Sequence, residues 1–415
     1  EGPEGARRLL AEADERAAAF AGRFAGQVAA LDGAGLADAM AELEAISDLV
    51  GRAGTYASLR FSADTAAPEN GALLAHVQEQ GTQIETKLLF FELEWAELGD
   101  EAVERLLGGD GLDRVQHHLR SIRRYRPHLL SEPEERIVSE MQVTGSSAWA
   151  RLFSEVSSAI EVRLDTEPEP VTLDMAAAQL TSPDREHRRH VAERITEALG
   201  PTLRIRAYIF NTLLADKATG DRLRRYDSWI SSRNLANETS DEAVAALVDT
   251  VRDHYELSRR WYRLKARLLG LERLADYDRL ATVAGSEETW TYEDGRALVL
   301  EAFGAFSPVM ADGATRFFDE GWIDVPPRPG KRGGAFCSYA VPSHHPYLLL
   351  NWTNKVRDVT TLAHEIGHGL HAYLARDRGS FEFHTPLTMC ETASVFGEAL
   401  VFQELLDRTT DPEAR

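Results

Sequence analysis

The stretch TLAHEIGHGLHAYL, residues 361–374, places two histidines four positions apart around a glutamate. Residues four apart lie one turn apart on the same helix face, so His364 and His368 can direct their imidazoles at one metal ion. Neutral imidazole is a preferred zinc ligand, and a catalytic zinc site keeps its fourth position for water. Glu365 can reach that water as a general base. The pattern predicts a zinc site with its own base, against the alternative of a merely histidine-rich helix.

The surrounding residues predict where this helix begins and how tightly it packs. Asp358 is a suitable N-cap, which predicts a helix that starts near Val359. Gly367 lies in the middle of the helical pattern. A mid-helix glycine costs about 1 kcal/mol relative to alanine, so its presence indicates that another element packs closely there.

A third metal ligand has to come from further along the chain. His371 lies on the same face but nearly a turn further, which favours a role beside the ligands or in substrate contact. The apolar helical pattern MCETASVFGEALVFQELL (389–406) carries Glu391 and Glu398 on one face. A carboxylate on an apolar face is costly to bury unless it is paired or bound to metal. Glu391 would complete a His, His, Glu set, and Glu398 is a candidate hydrogen-bond partner of a ligand histidine or a solvated edge.

Two further residues near Glu391 in the sequence, Cys390 and His384, carry donor atoms. Cys390 is expected to pack in the core rather than bind metal, because adjacent helical residues point about 100° apart. His384 lies in the loop before this helix and is a candidate for lining the cleft. His371 and His384 remain the alternatives for the third ligand.

Composition limits the classes of partner. The chain has 415 residues, a net charge of −21 and two cysteines, Cys337 and Cys390. Strong negative charge disfavours binding to nucleic-acid phosphates. Two cysteines imply no disulfide framework, and a reducing compartment, the cytoplasm, is expected. No apolar run approaches the roughly 20 residues of a membrane helix, and no signal peptide is recognised, so no membrane partner is expected.

The rest of the chain predicts a mainly helical protein. Long amphipathic helices are expected over residues 5–110, and Ser131 and Glu134 have the spacing of a capping box. The Pro-rich acidic segment 165–175 predicts a junction between an N-terminal helical domain, 1–170, and a catalytic domain, 171–415. The segment 321–352 predicts a small sheet of short strands before the HEIGH helix. The seven tryptophans are read as core residues, and the ends of the chain suggest a part of a longer protein.

The motifs together resemble the thimet oligopeptidase family of zinc metallopeptidases, closest to oligoendopeptidase F. The family pattern is HExGH followed more than twenty residues later by a helix that opens with a ligand glutamate. The likeness runs from about residue 110 to the end. Its other parts are RAYIFNTLLADKATGDRLRRYDSWISSRNLANE (206–238), RLKARLLGLERLADYDRLA (263–281), GKRGGAFCSYAV (330–341) and YLLLNW (347–352).

The resemblance implies a fold and a set of site residues. The fold would be a two-lobed helical shell around a deep channel, with zinc at its floor. Carried onto this chain, His364, His368 and Glu391 would hold one zinc ion and Glu365 would be the base. The segment around Gly334 and Ala335 would resemble the strand edge that pairs with the substrate backbone, or else be a plain structural hairpin.

The function expected from these features is zinc-dependent endopeptidase activity on short peptides, with zinc-bound water as nucleophile. The alternatives are a carboxypeptidase or dipeptidyl carboxypeptidase on the same scaffold, and an inactive helical peptide-binding protein. The family carries a later histidine and tyrosines that stabilise the oxyanion, and the chain ends 24 residues after Glu391. Since loss of one oxyanion donor costs about 10²–10³ in rate, these 415 residues alone are expected to hydrolyse poorly. Cleavage preference and oligomeric state are left open.

Overall fold

The structure, a computed structural model, describes residues 2–283 and 289–409. The predicted catalytic domain therefore extends at its end beyond the described residues. In the first part of the chain the elements are α1 (Gly2–Phe24), α2 (Gly33–Ala63), α3 (Pro68–Glu97), α4 (Asp100–Leu107), α5 (Gln116–Arg124), α6 (Glu132–Thr144), α7 (Ser146–Ser158), β1 (Glu161–Val162), β2 (Val171–Thr172), α8 (Leu173–Ala178) and α9 (Arg185–Leu199). They are followed by α10 (Leu203–Leu223), α11 (Ser231–Ala236), α12 (Asp241–Asp253), α13 (Tyr255–Leu268), α14 (Tyr292–Phe306), α15 (Pro308–Asp319), β3 (Ile323–Asp324), β4 (Phe336–Ser338), β5 (Tyr347–Leu349), α16 (Val356–Ala375) and α17 (Leu387–Arg408).

The N-terminal helices α1–α5 pack around one apolar core, as their sequence pattern predicts. In α1 the buried side chains recur every three or four residues, for example at Leu10, Ala13 and Ala17. This spacing puts them on one helix face, which packs against α2 and α3. The buried Trp95 indole donates a hydrogen bond to the Leu119 carbonyl (2.8 Å), so the end of α3 is tied to α5.

The acidic segment after α7 forms a small β-hairpin. β1 and β2 pair antiparallel, with Val162 opposite Val171. Their buried side chains join Ala176 and Val191 from α8 and α9 in a separate small core. The predicted division at 170/171 falls at the start of β2, and it stays a prediction.

Helices α10–α13 expose many large apolar side chains. Trp229 is 77% exposed and Trp261 is 52% exposed, together with Tyr208 and Phe210 on α10. The expectation that all seven tryptophans are core residues is therefore wrong for these two. An apolar residue type favours burial, but it does not ensure that another part of the fold covers that side chain.

The predicted small sheet before α16 is confirmed. Its strand order is β3-β5-β4, with β3 parallel and β4 antiparallel to β5. Cys337 lies opposite Leu348 in the pairing of β4 with β5. Within the described residues β4 is an edge strand, so the backbone groups along one of its sides are not paired with another strand.

The C-terminal core lies under this sheet. Buried residues of α14, α15, α16 and α17 pack together with Leu348 and Leu350 of the sheet region. The sheet and α17 thus hold α16 between them. None of the helices described in 2–283 and 289–409 combines the length and apolarity needed to cross a bilayer.

The loop between β3 and β4 connects this core to the N-terminal helices. Thr65 donates from its backbone N–H (2.8 Å) and its hydroxyl (2.9 Å) to the Gly330 carbonyl. The Arg332 N–H donates to the Ser62 carbonyl (2.8 Å). Buried Lys331 donates to the Leu350 carbonyl (2.6 Å) and to the backbone and side chain of Asp324 (both 3.1 Å). These contacts fix the position from which β4 starts.

Candidate metal centre

Helix α16 begins three residues earlier than its sequence predicts. It starts at Val356, with Lys355 as the N-cap, so the expectation of Asp358 as N-cap is wrong. The Asp358 carboxylate instead accepts from the Lys355 N–H (3.0 Å), the Thr353 N–H (2.6 Å) and the Thr353 hydroxyl (2.9 Å). An acidic residue at the third helical position can accept hydrogen bonds from the backbone before the helix in this way. Residue type alone does not tell such an acidic residue from one at the N-cap.

Three of the predicted ligands converge in space. Glu391 Oε2 lies 3.4 Å from His364 Nε2 and 3.6 Å from His368 Nε2, and one donor atom from each residue lies within 4.8 Å of the others. In a tetrahedral zinc site with bond lengths near 2.05 Å, neighbouring ligand atoms are about 3.4 Å apart. The two histidines and Glu391 therefore have the chemistry and the spacing of a three-ligand zinc site.

Glu398 lies on the far side of His364. Its Oε2 atom is 3.2 Å from His364 Nδ1 and accepts a hydrogen bond from that nitrogen in the corresponding tautomer. In this tautomer Nε2 carries no proton, and its lone pair is available toward Glu391 and His368. A carboxylate in this position orients a ligand histidine and raises its basicity.

Ser394, which sequence reasoning did not single out, holds the Glu391 carboxylate. Its side chain is fully buried, and its hydroxyl donates to Glu391 Oε2 (2.8 Å) while also lying 3.1 Å from the Glu391 carbonyl. The two residues are three apart on α17, the spacing at which helical side chains meet. The sequence shows this spacing in ETAS (391–394), but serine occurs so often on helices that the pattern does not by itself indicate a contact with the glutamate.

Glu365 lies against the edge of β4. It is 7% exposed, and a backbone hydrogen bond from Cys337 reaches its carboxyl group. Burial raises the pKa of Glu365 to about 7, and Glu391 adds to this rise, while His364 and the Cys337 N–H oppose it. A carboxyl group with a pKa near neutrality is suited to accept and return a proton.

Gly367 allows α16 and α17 to touch along their backbones. A Cβ atom at Gly367 would lie 2.6 Å from the Ala393 carbonyl oxygen and 2.7 Å from Ser394 Cα. A Cβ atom at Gly397 would in turn lie 3.0 Å from the Ala363 carbonyl oxygen. The close packing expected at Gly367 is thus confirmed, and it is this crossing that brings Glu391 to the histidines.

Gly334 and Ala335 lie just before β4, at the end of its free edge. The Gly334 N–H donates to Asp174 Oδ1 (3.2 Å), and its carbonyl accepts from Asn351 Nδ2 (2.8 Å). Because the Cys337 N–H reaches Glu365, the free edge of β4 faces the candidate metal centre.

His371 and His384 lie around Tyr339 rather than among the converging ligand atoms. The Tyr339 ring stacks on His384 at 5.9 Å and meets His371 edge to face at 6.4 Å. The Tyr339 hydroxyl is buried beside the Cys390 thiol, and His371 Nδ1 is buried without a hydrogen-bond partner among the described residues. Tyr339 was missed, although its position two residues after Cys337 in an extended segment places both side chains on one face.

Cys390 is buried, as expected from the helix geometry. Its Sγ atom contacts the Thr385 carbonyl and hydroxyl oxygens, each at 3.3 Å. This thiol packs against the loop before α17 and is absent from the converging group of His364, His368 and Glu391.

Comparison with known proteins places the chain among peptidases. Residues 178–415 match peptidase family M3, and residues 94–161 match the oligopeptidase F N-terminal family. Oligopeptidase PepF of Bacillus subtilis is 26% identical over 392 residues, which cover 92% of this chain and 58% of PepF. Group B oligopeptidase PepB of Streptococcus agalactiae is 25% identical over 366 residues, covering 87% and 61%. The chain thus spans about three fifths of the length of these relatives.

Solved structures show the same fold. An oligoendopeptidase F described as putative, from Bacillus anthracis, superposes with a TM-score of 0.79 at 15% identity, over 95% of this chain and 71% of that chain. PZ peptidase A, solved with an inhibitor, gives a TM-score of 0.80 at 15% identity, over 96% and 68%. At such identities the likeness supports the helical architecture alone.

Proposed function

The chain belongs to peptidase family M3, and from this premise we propose that it is a zinc-dependent endopeptidase that hydrolyses short peptides. The observation that carries the proposal is the convergence of His364 Nε2, His368 Nε2 and Glu391 Oε2, with Glu365 beside them. The names of the relatives support an oligopeptidase rather than a general protease.

The donor set fits zinc. Imidazole nitrogen and carboxylate oxygen are both ligands that zinc accepts. Two histidines and one glutamate are a ligand set found in catalytic zinc sites. The contact between Glu398 and His364 selects the tautomer that such a ligand needs. The chemistry that zinc supplies when bound is Lewis acidity, which activates water and polarises a peptide carbonyl.

Glu365 is proposed as the residue that moves the proton. In amide hydrolysis a proton leaves the attacking water and has to reach the departing amine. Glu365 adjoins the ligand His364 in sequence and is buried against β4, so its carboxyl group is shielded from bulk solvent. Because the Glu365 carboxyl group is buried, the proton it accepts exchanges little with bulk solvent and can be passed to the amine.

The free edge of β4 is proposed to hold the substrate. An extended peptide that adds to a sheet edge gains main-chain hydrogen bonds without any side-chain requirement. The edge runs past Glu365 through Cys337, so a paired peptide would have one of its amide bonds beside the candidate metal centre. Main-chain pairing of this kind suits extended peptides of many different sequences.

The proposed location is the cytoplasm. Cys337 and Cys390 are both free thiols. Free thiols accord with a reducing compartment.

The test measures zinc content and peptide turnover on the same preparations. Wild type, Glu365→Gln, Glu391→Gln and Glu404→Gln are purified without added metal, and zinc per chain is counted by plasma mass spectrometry. Turnover is followed by mass spectrometry on one N-acetylated octapeptide, supplied both as the C-terminal amide and as the free acid. Glu404 is on the same helix as Glu391 but pairs with Arg408, so its variant is the matched control.

We expect about one zinc per wild-type chain, a clear loss in Glu391→Gln, and retained zinc without turnover in Glu365→Gln. Removal of a general base typically lowers the rate by about 10²–10⁴. Unchanged zinc in Glu391→Gln would move the third ligand to His371 or His384. Cleavage of the free-acid peptide but not of the amidated one would favour the carboxypeptidase alternative, and a wild type without zinc or turnover would favour a peptide-binding scaffold.

A further inference from the structure

The loop of residues 376–386 joins α16 and α17, the two helices that carry the candidate metal ligands. Glu391 lies one turn after the start of α17, and Pro386, the N-cap of that helix, provides no side-chain hydrogen bond to it. The first N–H groups of a helix have no partner within it, so its first turn frays unless the surroundings hold it. The Thr388 hydroxyl contributes by donating to the Asn237 carbonyl (2.9 Å). The order of Glu391 also depends on how the loop is fixed.

The N-terminal helices hold the middle of this loop. The Phe381 ring stacks on His118 of α5, with ring centroids 4.4 Å apart, and it packs against the N-terminal core. The Glu382 carboxylate accepts a hydrogen bond from the His117 N–H (3.3 Å) in the first turn of α5. A negative charge is favoured there by the helix dipole. Two adjacent loop residues are thus fixed by a helix that lies far away in the sequence.

Glu44 of α2 holds the loop where its backbone turns. Gly379 is buried and has a φ of +80°, and a Cβ atom on it would collide with the Glu44 carboxylate. Glu44 Oε1 accepts the hydrogen bond of the Ser380 N–H at 2.7 Å, and Arg114 Nη2 lies 3.9 Å from Glu44 Oε2. The Glu44 side chain is only 26% exposed. A charge-assisted hydrogen bond that is partly shielded from solvent is among the stronger contacts a loop backbone can make.

The end of the loop lies against the candidate metal centre. Phe383 is buried and meets the Tyr339 ring edge to face, with centroids 5.9 Å apart. The carbonyl and hydroxyl oxygens of Thr385 contact the thiol of Cys390, the residue before Glu391. The loop is therefore in contact with α2 and α5 on one side and with the surroundings of the metal ligands on the other.

We propose that Glu44 is a positioning residue for the candidate metal centre: it fixes the loop 376–386 and, through it, the start of α17 that presents Glu391. The inference rests on the proposed function, because it concerns a ligand of the same centre. It makes the N-terminal helices part of the centre, although the three converging ligands lie on α16 and α17. Without the Glu44 carboxylate, metal binding has to order the loop as well, which lowers the apparent affinity.

Two measurements test this role. Hydrogen exchange followed by mass spectrometry, on metal-free protein, compares peptides that cover residues 376–391. Zinc affinity is obtained by competition against a chromophoric chelator. The variants are Glu44→Ala and Glu44→Gln, and the glutamine variant carries the test if alanine prevents folding. Glu42→Ala is the matched control, because Glu42 lies on the same helix and pairs with Arg16 of α1 (2.9 Å), away from the loop.

In Glu44→Ala we expect hydrogen exchange in the loop and at the start of α17 to become about tenfold faster, as for the loss of a hydrogen bond to a charged group. Zinc should bind about three- to tenfold more weakly, a smaller effect than removal of a direct partner of a ligand, because Glu44 acts through the loop. Glu44→Gln keeps an oxygen that can accept from the Ser380 N–H, so it should recover part of both effects. Glu42→Ala should show neither effect.

Unchanged exchange in Glu44→Ala, faster exchange with unchanged zinc affinity, or equal effects in Glu42→Ala would each overturn the proposal. Failure of the proposed function would look different, because the wild type would then hold no zinc and cut no peptide. In that case, exchange in the metal-free protein still decides whether Glu44 orders the start of α17: no acceleration at residues 387–391 in Glu44→Ala would refute it.

Discussion

At the scale of single residues, the candidate centre depends on how the Glu391 carboxylate is held. Glu391 is exposed, so its side chain would sample several rotamers without a partner. The buried Ser394 hydroxyl donates to the same Oε2 atom that faces both histidines. Ser394 thus holds the Glu391 carboxylate in one orientation, which the sequence does not predict.

Ser394→Ala is expected to weaken zinc binding by about 10–100-fold, the usual cost of removing a group that orients a metal ligand. The measurement is competition for zinc against a chromophoric chelator. Ser157→Ala is the control, because the Ser157 hydroxyl is also buried but has no hydrogen-bond partner among the described residues. An unchanged affinity in Ser394→Ala would show that Glu391 is oriented without Ser394.

At the scale of elements, sequence periodicity predicted the helices better than their ends. The three- and four-residue spacing in α1–α3 is a local property, so these helices and the capping box at Ser131 are confirmed. The start of α16 was misplaced by three residues, because Asp358 accepts from backbone that precedes it. Cap geometry depends on the path of the incoming chain, which residue types do not specify.

The crossing of α16 and α17 is the element-scale feature on which the centre depends. Gly367→Ala is expected to separate the helices, because the added carbon would meet backbone atoms at 2.6 and 2.7 Å. Overpacking of this kind costs about 1–3 kcal/mol or more in the free energy of unfolding. Zinc content should fall with it, as Glu391 moves away from the histidines. Both quantities are measured on one preparation, by urea unfolding and plasma mass spectrometry.

Gly54→Ala is the matched control for this substitution. Gly54 lies in the middle of α2, and a Cβ atom there would have nothing within 4 Å. Alanine should therefore stabilise the protein by about 0.5–1 kcal/mol without changing zinc content. If Gly367→Ala behaved like this control, the helix crossing would not be as close as the structure has it.

At the scale of the whole molecule, a buried ionic group joins distant parts of the chain. The fully buried Asp278 accepts from Arg188 (2.8 Å), Arg185 (3.0 Å) and the Ala275 N–H (2.8 Å), which ties α9 to the segment after α13. Nearby, Lys265 donates to the Arg279 carbonyl (2.8 Å). No local pattern predicts this group, because Arg185 and Arg188 lie about 90 residues before Asp278 in the chain.

Asp278→Asn is expected to lower the free energy of unfolding by about 3–5 kcal/mol, because Arg188 would be left buried without its counter-charge. Urea unfolding followed by circular dichroism measures the change. Asp249→Asn is a suitable control, since Asp249 is exposed and lies 3.7 Å from Arg252. A loss below 1 kcal/mol in Asp278→Asn would indicate that water reaches the arginines.

Acid should remove the contribution of Asp278. Burial opposes ionisation, but the hydrogen bonds from Arg185, Ala275 and Arg188 outweigh it and lower the pKa of Asp278 from 3.8 to about 2. A lowered pKa adds stability that is complete above the unfolded value and is lost as pH falls from about 4 to about 2. The lost part is about 2 kcal/mol. Comparison of wild type with Asp278→Asn across this range isolates it, and a constant difference would contradict it.

The sequence by itself determined the local chemistry: a helix with His364 and His368 on one face, Glu365 beside them, and mainly helical architecture with a small sheet before α16. These follow from backbone periodicity, which acts over a few residues. Only the tertiary structure showed that Glu391 lies beside the two histidines while His371 and His384 lie around Tyr339. It alone also showed that Ser394 and Glu398 contact Glu391 and His364, and that Trp229 and Trp261 are exposed. Such contacts depend on how helices and strands far apart in the chain pack together, and that packing has no local signature.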